Sequence, residues 1–242
     1  MPELKYKLMT VELLNLAKYW YTYKELTEII GLPERSLTRY VNGYVLPSID
    51  RARAINRTLQ KIINLESTIK GRIIFDSNRS FRYNRAPFSC DTLLLERSVQ
   101  HIVNVFAGVS INKVISTMSE ALPLGTLVAH RMGVMLAIAA SYKVPGVNQF
   151  IEESYSTSSA DRVRSLYIPS EIIRRGDRFL IVYDIMASGE REMCATSIIK
   201  MIQSVGARVS GFFTLVSIGQ EWKASVQKYS ECEKIESIIQ VD

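Results

Sequence analysis

Asp177-Arg178-Phe179-Leu180-Ile181-Val182-Tyr183-Asp184-Ile185-Met186-Ala187-Ser188-Gly189-Glu190-Arg191 passes from one kind of chain to another. Phe179 to Val182 is an unbroken apolar run, which is what a strand buried on both faces needs. An acid, Asp184, follows, and then a turn of small residues, Ala187-Ser188-Gly189. Beyond the turn Met193, Ile198, Ile199 and Ile202 recur on or near one helical face. A strand feeding a short turn that opens a helix collects unpaired backbone N–H groups and a positive dipole end at one point, and such a point binds phosphate. Gly189 lets the backbone approach an anion, and Ser188 adds a hydroxyl donor. An ordinary strand-to-helix connection shares this outline, so spacing alone leaves both readings open.

The segment resembles the phosphoribosyl-pyrophosphate (PRPP) motif of type I phosphoribosyltransferases. In that motif an apolar strand runs into two acids, two aliphatic residues and a Thr/Ser-Thr/Ser-Gly loop. The resemblance implies that Asp184 holds ribose hydroxyls and that Ala187, Ser188, Gly189, Glu190 and Arg191 wrap the 5′-phosphate, with Tyr183 and Met186 alongside. Tyr183 stands in place of the first acid, and Arg191 in place of the Thr that ends the loop. Losing one carboxylate removes an acceptor for the ribose and weakens a metal-assisted grip on PRPP, whereas an Arg can pair with phosphate. A pocket kept for binding and lost for turnover is therefore expected. It would have no catalytic residue, no metal set of its own and no cofactor beyond Mg²⁺ accompanying PRPP.

Around this segment helices and strands alternate. Helix is expected over residues 91–106 and 126–132, strand over 113–117, 134–140, 162–168 and 208–216, and helix from the turn to about residue 205. Such alternation gives a mostly parallel sheet covered on both faces, with ligands at the carboxyl ends of its strands. The resemblance puts three further loops there. Glu120 and Ala121 lie in the counterpart of the pyrophosphate loop, and Lys143 follows the next strand where the family often carries a basic residue. Residues 149–161 are polar and small, as a mobile loop closing over PRPP would be, or as a plain connection would be. Trp222, in the loop Gly219-Gln220-Glu221-Trp222-Lys223, stands where the family recognises its base; it stacks on a base or packs in the core.

The first part of the chain is helical in pattern. Leu13, Leu16, Ala17 and Trp20 form a stripe, and Thr22-Tyr23-Lys24-Glu25 is a capping box opening a helix through Ile30. Gly31 stops that helix and Pro33 opens a short one to Val41. Ser48 caps a longer helix over residues 49–63. Two short helices joined across a glycine, the second rich in Arg, Ser and Thr, form helix-turn-helix grammar. The stretch from Glu25 to Gly43, with Leu46-Pro47-Ser48 after it, resembles the phage-repressor type of DNA-binding helix-turn-helix. In that geometry Arg35, Ser36 and Arg39 read base edges with Thr38 nearby, and Lys24, Tyr40, Asn42 and Tyr44 hold phosphates. A basic helical interaction module fits the same residues. Residues 1–72 hold 12 Lys and Arg against 7 Asp and Glu, and the remainder 18 against 17, so a polyanion partner is expected for the first part.

Composition sets the outer limits. With 47% apolar and 22% charged residues the chain reads as globular, and its longest apolar run, residues 124–140, is interrupted by His130 and Arg131, so no membrane span is expected. Cytoplasm is the expected location. Cys90, Cys194 and Cys232 show no metal spacing and are read as free thiols; His101 and His130 have no partners in sequence. The expected domains are a helix-turn-helix over 1–66, a boundary over 67–85 and a phosphoribosyltransferase-like domain over 86–242.

Together the two parts resemble archaeal transcription regulators that join a helix-turn-helix to a degenerate phosphoribosyltransferase domain. The resemblance implies a regulator that senses PRPP or a nucleoside phosphate and binds a palindromic operator on double-stranded DNA as a homodimer or tetramer, and that is not an enzyme. The alternative is an active purine or pyrimidine phosphoribosyltransferase that also binds DNA.

Overall fold

The computed structural model describes residues 3–18, 20–62, 65–70, 89–117, 121–157, 162–230 and 232–241. The chain divides into two compact units, Met1–Asn64 and Leu65–Asp242.

The described residues of the first unit form four helices: α1 (Glu3–Ala17), α2 (Tyr23–Ile30), α3 (Glu34–Val41) and α4 (Ile49–Ile62). The capping box forms as the spacing demands. Glu25 N–H donates to Thr22 Oγ1 at 3.3 Å, and Thr22 N–H donates to Glu25 Oε2 at 2.7 Å. Gly31, at φ 73°, adopts the left-handed conformation that ends α2. Leu13, Leu14, Ala17, Leu26, Leu37, Tyr40, Ile55 and Leu59 make the core. The first helix starts well before the expected stripe, and Trp20 is exposed beyond its end. Lys24, Arg35, Arg39, Asn42 and Tyr44 are exposed, with Ser36 and Thr38 half-buried. Tyr40 is corrected: it is a core residue whose hydroxyl accepts from Arg51 Nη1 at 3.1 Å, not a phosphate-facing side chain.

The second unit opens with α5 (Leu65–Lys70) and α6 (Thr92–Val105), the latter capped by Asp91 Oδ1, which accepts the N–H groups of Leu93 and Leu94. Then come β1 (Lys113–Thr117), α7 (Leu122–Met132), β2 (Met135–Ala139), β3 (Phe150–Thr157), β4 (Arg162–Pro169), β5 (Arg178–Ala187), α8 (Glu190–Ser204), β6 (Arg208–Ile218), α9 (Glu221–Tyr229) and β7 (Lys234–Val241). Five strands form a parallel sheet in the order β2-β1-β5-β6-β7. Alternate residues of β5 feed two cores. Phe179, Ile181 and Tyr183 pack with residues of α8 and α9, and Leu180 and Val182 with residues of α6 and α7. The apolar run is thus buried on both faces, as its composition demands. α7 lies close on β1: a Cβ at Gly125 would sit 2.7 Å from Ser116 Cβ.

Three expectations are corrected here. The strand at 162–168 does not join the main sheet but pairs antiparallel with β3 as a hairpin, Phe150 opposite Pro169 and Thr157 opposite Arg162. Residues 150–157 are therefore strand, with Ile151 and Tyr155 packed on the core, where an open loop was expected; residues 158–161 of that loop lie outside the described residues. The expected loop at 219–223 turns into α9 after its first residues, and β7 adds an edge strand that the polar Glu233-Lys234 start conceals in the sequence. The expected boundary at 67–85 lies mostly outside the described residues. Among the described residues no helix is long and apolar enough to cross a membrane.

Candidate functional site

In the order β2-β1-β5-β6-β7 the chain leaves β1 in one direction and returns at β5 in the other. Strands that wind away from each other leave a crevice beyond their carboxyl ends. A cavity of about 740 Å³ opens there. Thr117 and Ala139, at the ends of β1 and β2, line it on one side. Asp184, Ala187 and Ser188 of β5 and its turn, with Glu190, Arg191 and Cys194 of α8, form the floor, and Tyr155, Arg164 and Leu166 of the hairpin face them.

Asp184 is 3% exposed. Its Oδ1 accepts from Ile185 N–H at 2.7 Å and from Arg191 Nη1 at 3.3 Å, while Oδ2 is buried with no hydrogen-bond partner. A buried carboxylate oxygen without a donor is costly unless something supplies one. Arg191 Nη1 also donates to the carbonyl of Ile185, which fixes the guanidinium against the strand end. The turn needs glycine. Gly189 has φ 95° and ψ −131°, a region other residues avoid. Its N–H donates to Glu192 Oε2 at 3.2 Å, and Glu192 Oε1 in turn accepts the Ser225 hydroxyl. The first turn of α8 thus carries two acids, Glu190 and Glu192, and the hairpin answers with Arg164, whose Nη1 lies 3.0 Å from Glu190 Oε1. Beneath the turn Tyr183 donates to Cys194 Sγ at 3.4 Å, and burial raises the pKa of both groups, so both stay protonated at neutral pH.

No family model matches the chain. It is similar to a xanthine phosphoribosyltransferase of Agathobacter rectalis, 26% identical over 127 residues, which are 52% of this chain and 65% of that one. It is also similar to a hypoxanthine/guanine phosphoribosyltransferase of Methanohalobium evestigatum, 27% identical over 191 residues, 76% of this chain and 90% of that one. The chain spans just under two thirds of the length of the Agathobacter relative. Among solved structures, an adenine phosphoribosyltransferase of Rhodothermus marinus superposes with a TM-score of 0.60 at 20% identity, covering 73% of this chain and 98% of that one.

The fold is that of a type I phosphoribosyltransferase.

This corrects the functional expectation. The proteins to which the chain is similar are named as enzymes of nucleobase metabolism, so the expectation of a DNA-bound sensor without enzymatic activity is overturned. Within the phosphoribosyltransferase fold the structure gathers Tyr183, Asp184, Ala187, Ser188, Glu190 and Arg191 at one cavity, with Gly189 shaping the turn between them. Other expected ligand residues fall elsewhere. Trp222 is fully buried, tilted against Phe212 with Nε1 donating to Ser217 Oγ at 3.0 Å, so it packs the core instead of stacking on a base. Met186 points into the same core and Ala121 is buried at the start of α7, neither of them lining the cavity. Lys143 stands outside the lining, 3.0 Å from Glu152 Oε2 and over the Tyr167 ring. Glu120 lies outside the described residues.

Sequence reasoning missed Thr117, Ser141, Tyr142, Arg164 and Cys194, and reached Tyr155 only as part of the expected mobile loop over 149–161. Thr117 was findable, because it ends a strand beside the switch point. Arg164 was not, because only its pairing with Tyr155 in the hairpin turns it toward the turn of β5. The described residues do not fit a metal held by the protein. Among them no group of three His, Cys, Asp or Glu side chains converges, and of the two carboxylates that line the cavity Asp184 already carries Arg191 and Glu190 carries Arg164. Mg²⁺ carried on the phosphates of PRPP is compatible with the cavity.

Proposed function

We propose that the chain is a phosphoribosyltransferase that joins a purine base to PRPP. A ring nitrogen of the base attacks C1′ of PRPP, the bond from C1′ to the pyrophosphate oxygen breaks, and pyrophosphate leaves with the electron pair while the base loses a proton. The observation that carries the reading is Asp184, a residue lining the cavity whose Oδ2 is buried without a donor, one short turn before a helix N-terminus. A ribose hydroxyl supplies that donor, and the 5′-phosphate then meets the turn from Ala187 to Arg191, with the Ser188 hydroxyl and the dipole of α8 behind it. Arg164 is placed to leave Glu190 for phosphate as the ligand arrives. The size of the cavity is within the usual range for a small-molecule site. The purine preference follows the bases in the names of the relatives, which are xanthine, hypoxanthine, guanine and adenine. The test is incubation of the full chain with PRPP, Mg²⁺ and each of these four bases, following pyrophosphate release. Turnover with at least one base is expected, and silence with all four overturns the proposal.

A further inference from the structure

At the end of β5 an acid and a base lie against each other where a phosphoribosyl ligand would sit. Asp184 spends Oδ1 on Ile185 N–H and on Arg191 Nη1, and Oδ2 has no partner. Arg191 is only 19% exposed at its side chain and is pinned by the Ile185 carbonyl. The preceding residue, Tyr183, is a buried phenol whose pKa burial raises well above the ordinary value, so it adds no negative charge. The strand end is therefore neutral as a pair.

We infer that this site does without a divalent cation held on the protein, because Arg191 supplies at Asp184 the positive charge such a metal would bring and leaves Oδ2 to accept ribose hydroxyls directly. The inference rests on the phosphoribosyl reading of the cavity. Mg²⁺ demands near-octahedral oxygen ligands and takes them from one or two carboxylates plus substrate phosphates. Among the described residues the carboxylate of the strand end, Asp184, is half occupied, and its occupant is a cation that would repel a second one across a partly buried, weakly screened gap; Glu190, the other carboxylate lining the cavity, is paired with Arg164. A guanidinium does not deprotonate in proteins, so the arrangement holds at every working pH.

The diphosphate of PRPP can carry Mg²⁺ by itself, so the probe is ribose 5-phosphate, which lacks it. Calorimetric titration of ribose 5-phosphate into the full chain is run once with Mg²⁺ and once with EDTA. The dissociation constant is expected to agree within about twofold between the two buffers, and Arg191→Thr is expected to bind about tenfold more weakly in EDTA and to recover with Mg²⁺. Unchanged chain that loses about tenfold or more in EDTA overturns the inference, as does Arg191→Thr binding in EDTA as tightly as the unchanged chain. Should Arg191→Thr fail to fold, Arg191→Lys, which keeps the charge, takes its place: it should ignore Mg²⁺, and Mg²⁺-dependent binding there counts against the inference. Binding in neither buffer is a different result, and it overturns the phosphoribosyl reading itself.

Discussion

Tyr183 lies flat against Phe212, the ring centroids 5.7 Å apart and the planes within 9°. Its hydroxyl donates to Cys194 Sγ. The side chain at this position lies at the edge of the cavity and packs into the core of β6, α8 and α9, so an acid there would be buried among aromatics. Tyr183→Asp should therefore destabilise the second unit by about 3 kcal/mol or more, and Tyr183→Phe, which keeps the stack and loses one hydrogen bond, by about 1 kcal/mol. Urea unfolding of both variants measures this. A Tyr183→Asp chain as stable as the original would mean that the ring is not part of the core.

The same burial makes a pH prediction. The pKa values of Tyr183 and Cys194 are raised in the fold, chiefly by burial, so the folded chain holds these protons more tightly than the unfolded chain does. Below the ordinary thiol and phenol values both states are protonated and stability is flat. Above them the unfolded chain alone releases its protons, and stability falls as pH rises. The urea midpoint should therefore hold near neutral pH and decline from about pH 9 upward, with a shallower decline in Tyr183→Phe.

The elements that carry the site were legible for a physical reason. Phe179 to Val182 is apolar because both faces of β5 are covered, and Asp184 stands out because an acid at the end of such a run has no structural excuse. Lys113 to Thr117 and the helix before it were readable from their patterns, and the cap at Asp91 is what the structure adds. The hairpin was not. Glu152, Ser154 and Ser156 alternate with Ile151 and Tyr155 in a segment whose small polar residues also suit a loop, and only the partner strand decides between them. Trp222 misled because sequence position marks a site only when the side chain faces it, and the turn into α9 swings this ring into the core.

At the opposite end of the sheet, Asp177 holds the starts of β1 and β5 together. Its Oδ2 accepts from Arg174 N–H at 2.7 Å and lies 2.7 Å from Lys113 Nζ, and its Oδ1 accepts from Asn112 Nδ2 at 3.2 Å. Burial alone would raise its pKa, but the bond from Lys113 and the other donors outweigh it and leave it lowered. A depressed carboxylate gives stability that is present above the ordinary value near 4 and is lost as pH falls through the folded value. Asp177→Asn should lose that acid limb and, by leaving Lys113 buried without its counter-charge, about 3 kcal/mol at neutral pH. Thermal melts between pH 7 and pH 3 compare the two chains.

Gly211 is required by the space around it. A Cβ built there would lie 2.6 Å from Phe106 Cε1 and 2.9 Å from Leu180 Cδ1, where β6 runs beside β5 under α6. Gly211→Ala should cost about 1–3 kcal/mol, since two large buried side chains would have to give way together. Equal stability would show that Phe106 can shift at no cost.

The sharpest functional prediction concerns Asp184. In the proposed role its Oδ2 accepts a ribose hydroxyl, and the amide of Asp184→Asn could put a donor at that point while leaving Arg191 without its counter-charge. The change in volume is negligible, so the fold should survive and the loss should appear in recognition. A hydrogen bond to a charged group contributes roughly 1.5–3 kcal/mol, which converts to about a 10- to 100-fold fall in kcat/KM for PRPP. The control is Ser188→Ala, which removes one neutral hydroxyl from the turn and should cost about 1 kcal/mol, or roughly fivefold. Pyrophosphate release measured on both variants at matched base concentration orders them. If Ser188→Ala proved the more damaging of the two, the acid would be a structural partner of Arg191 and the ribose would have to be held elsewhere along the cavity.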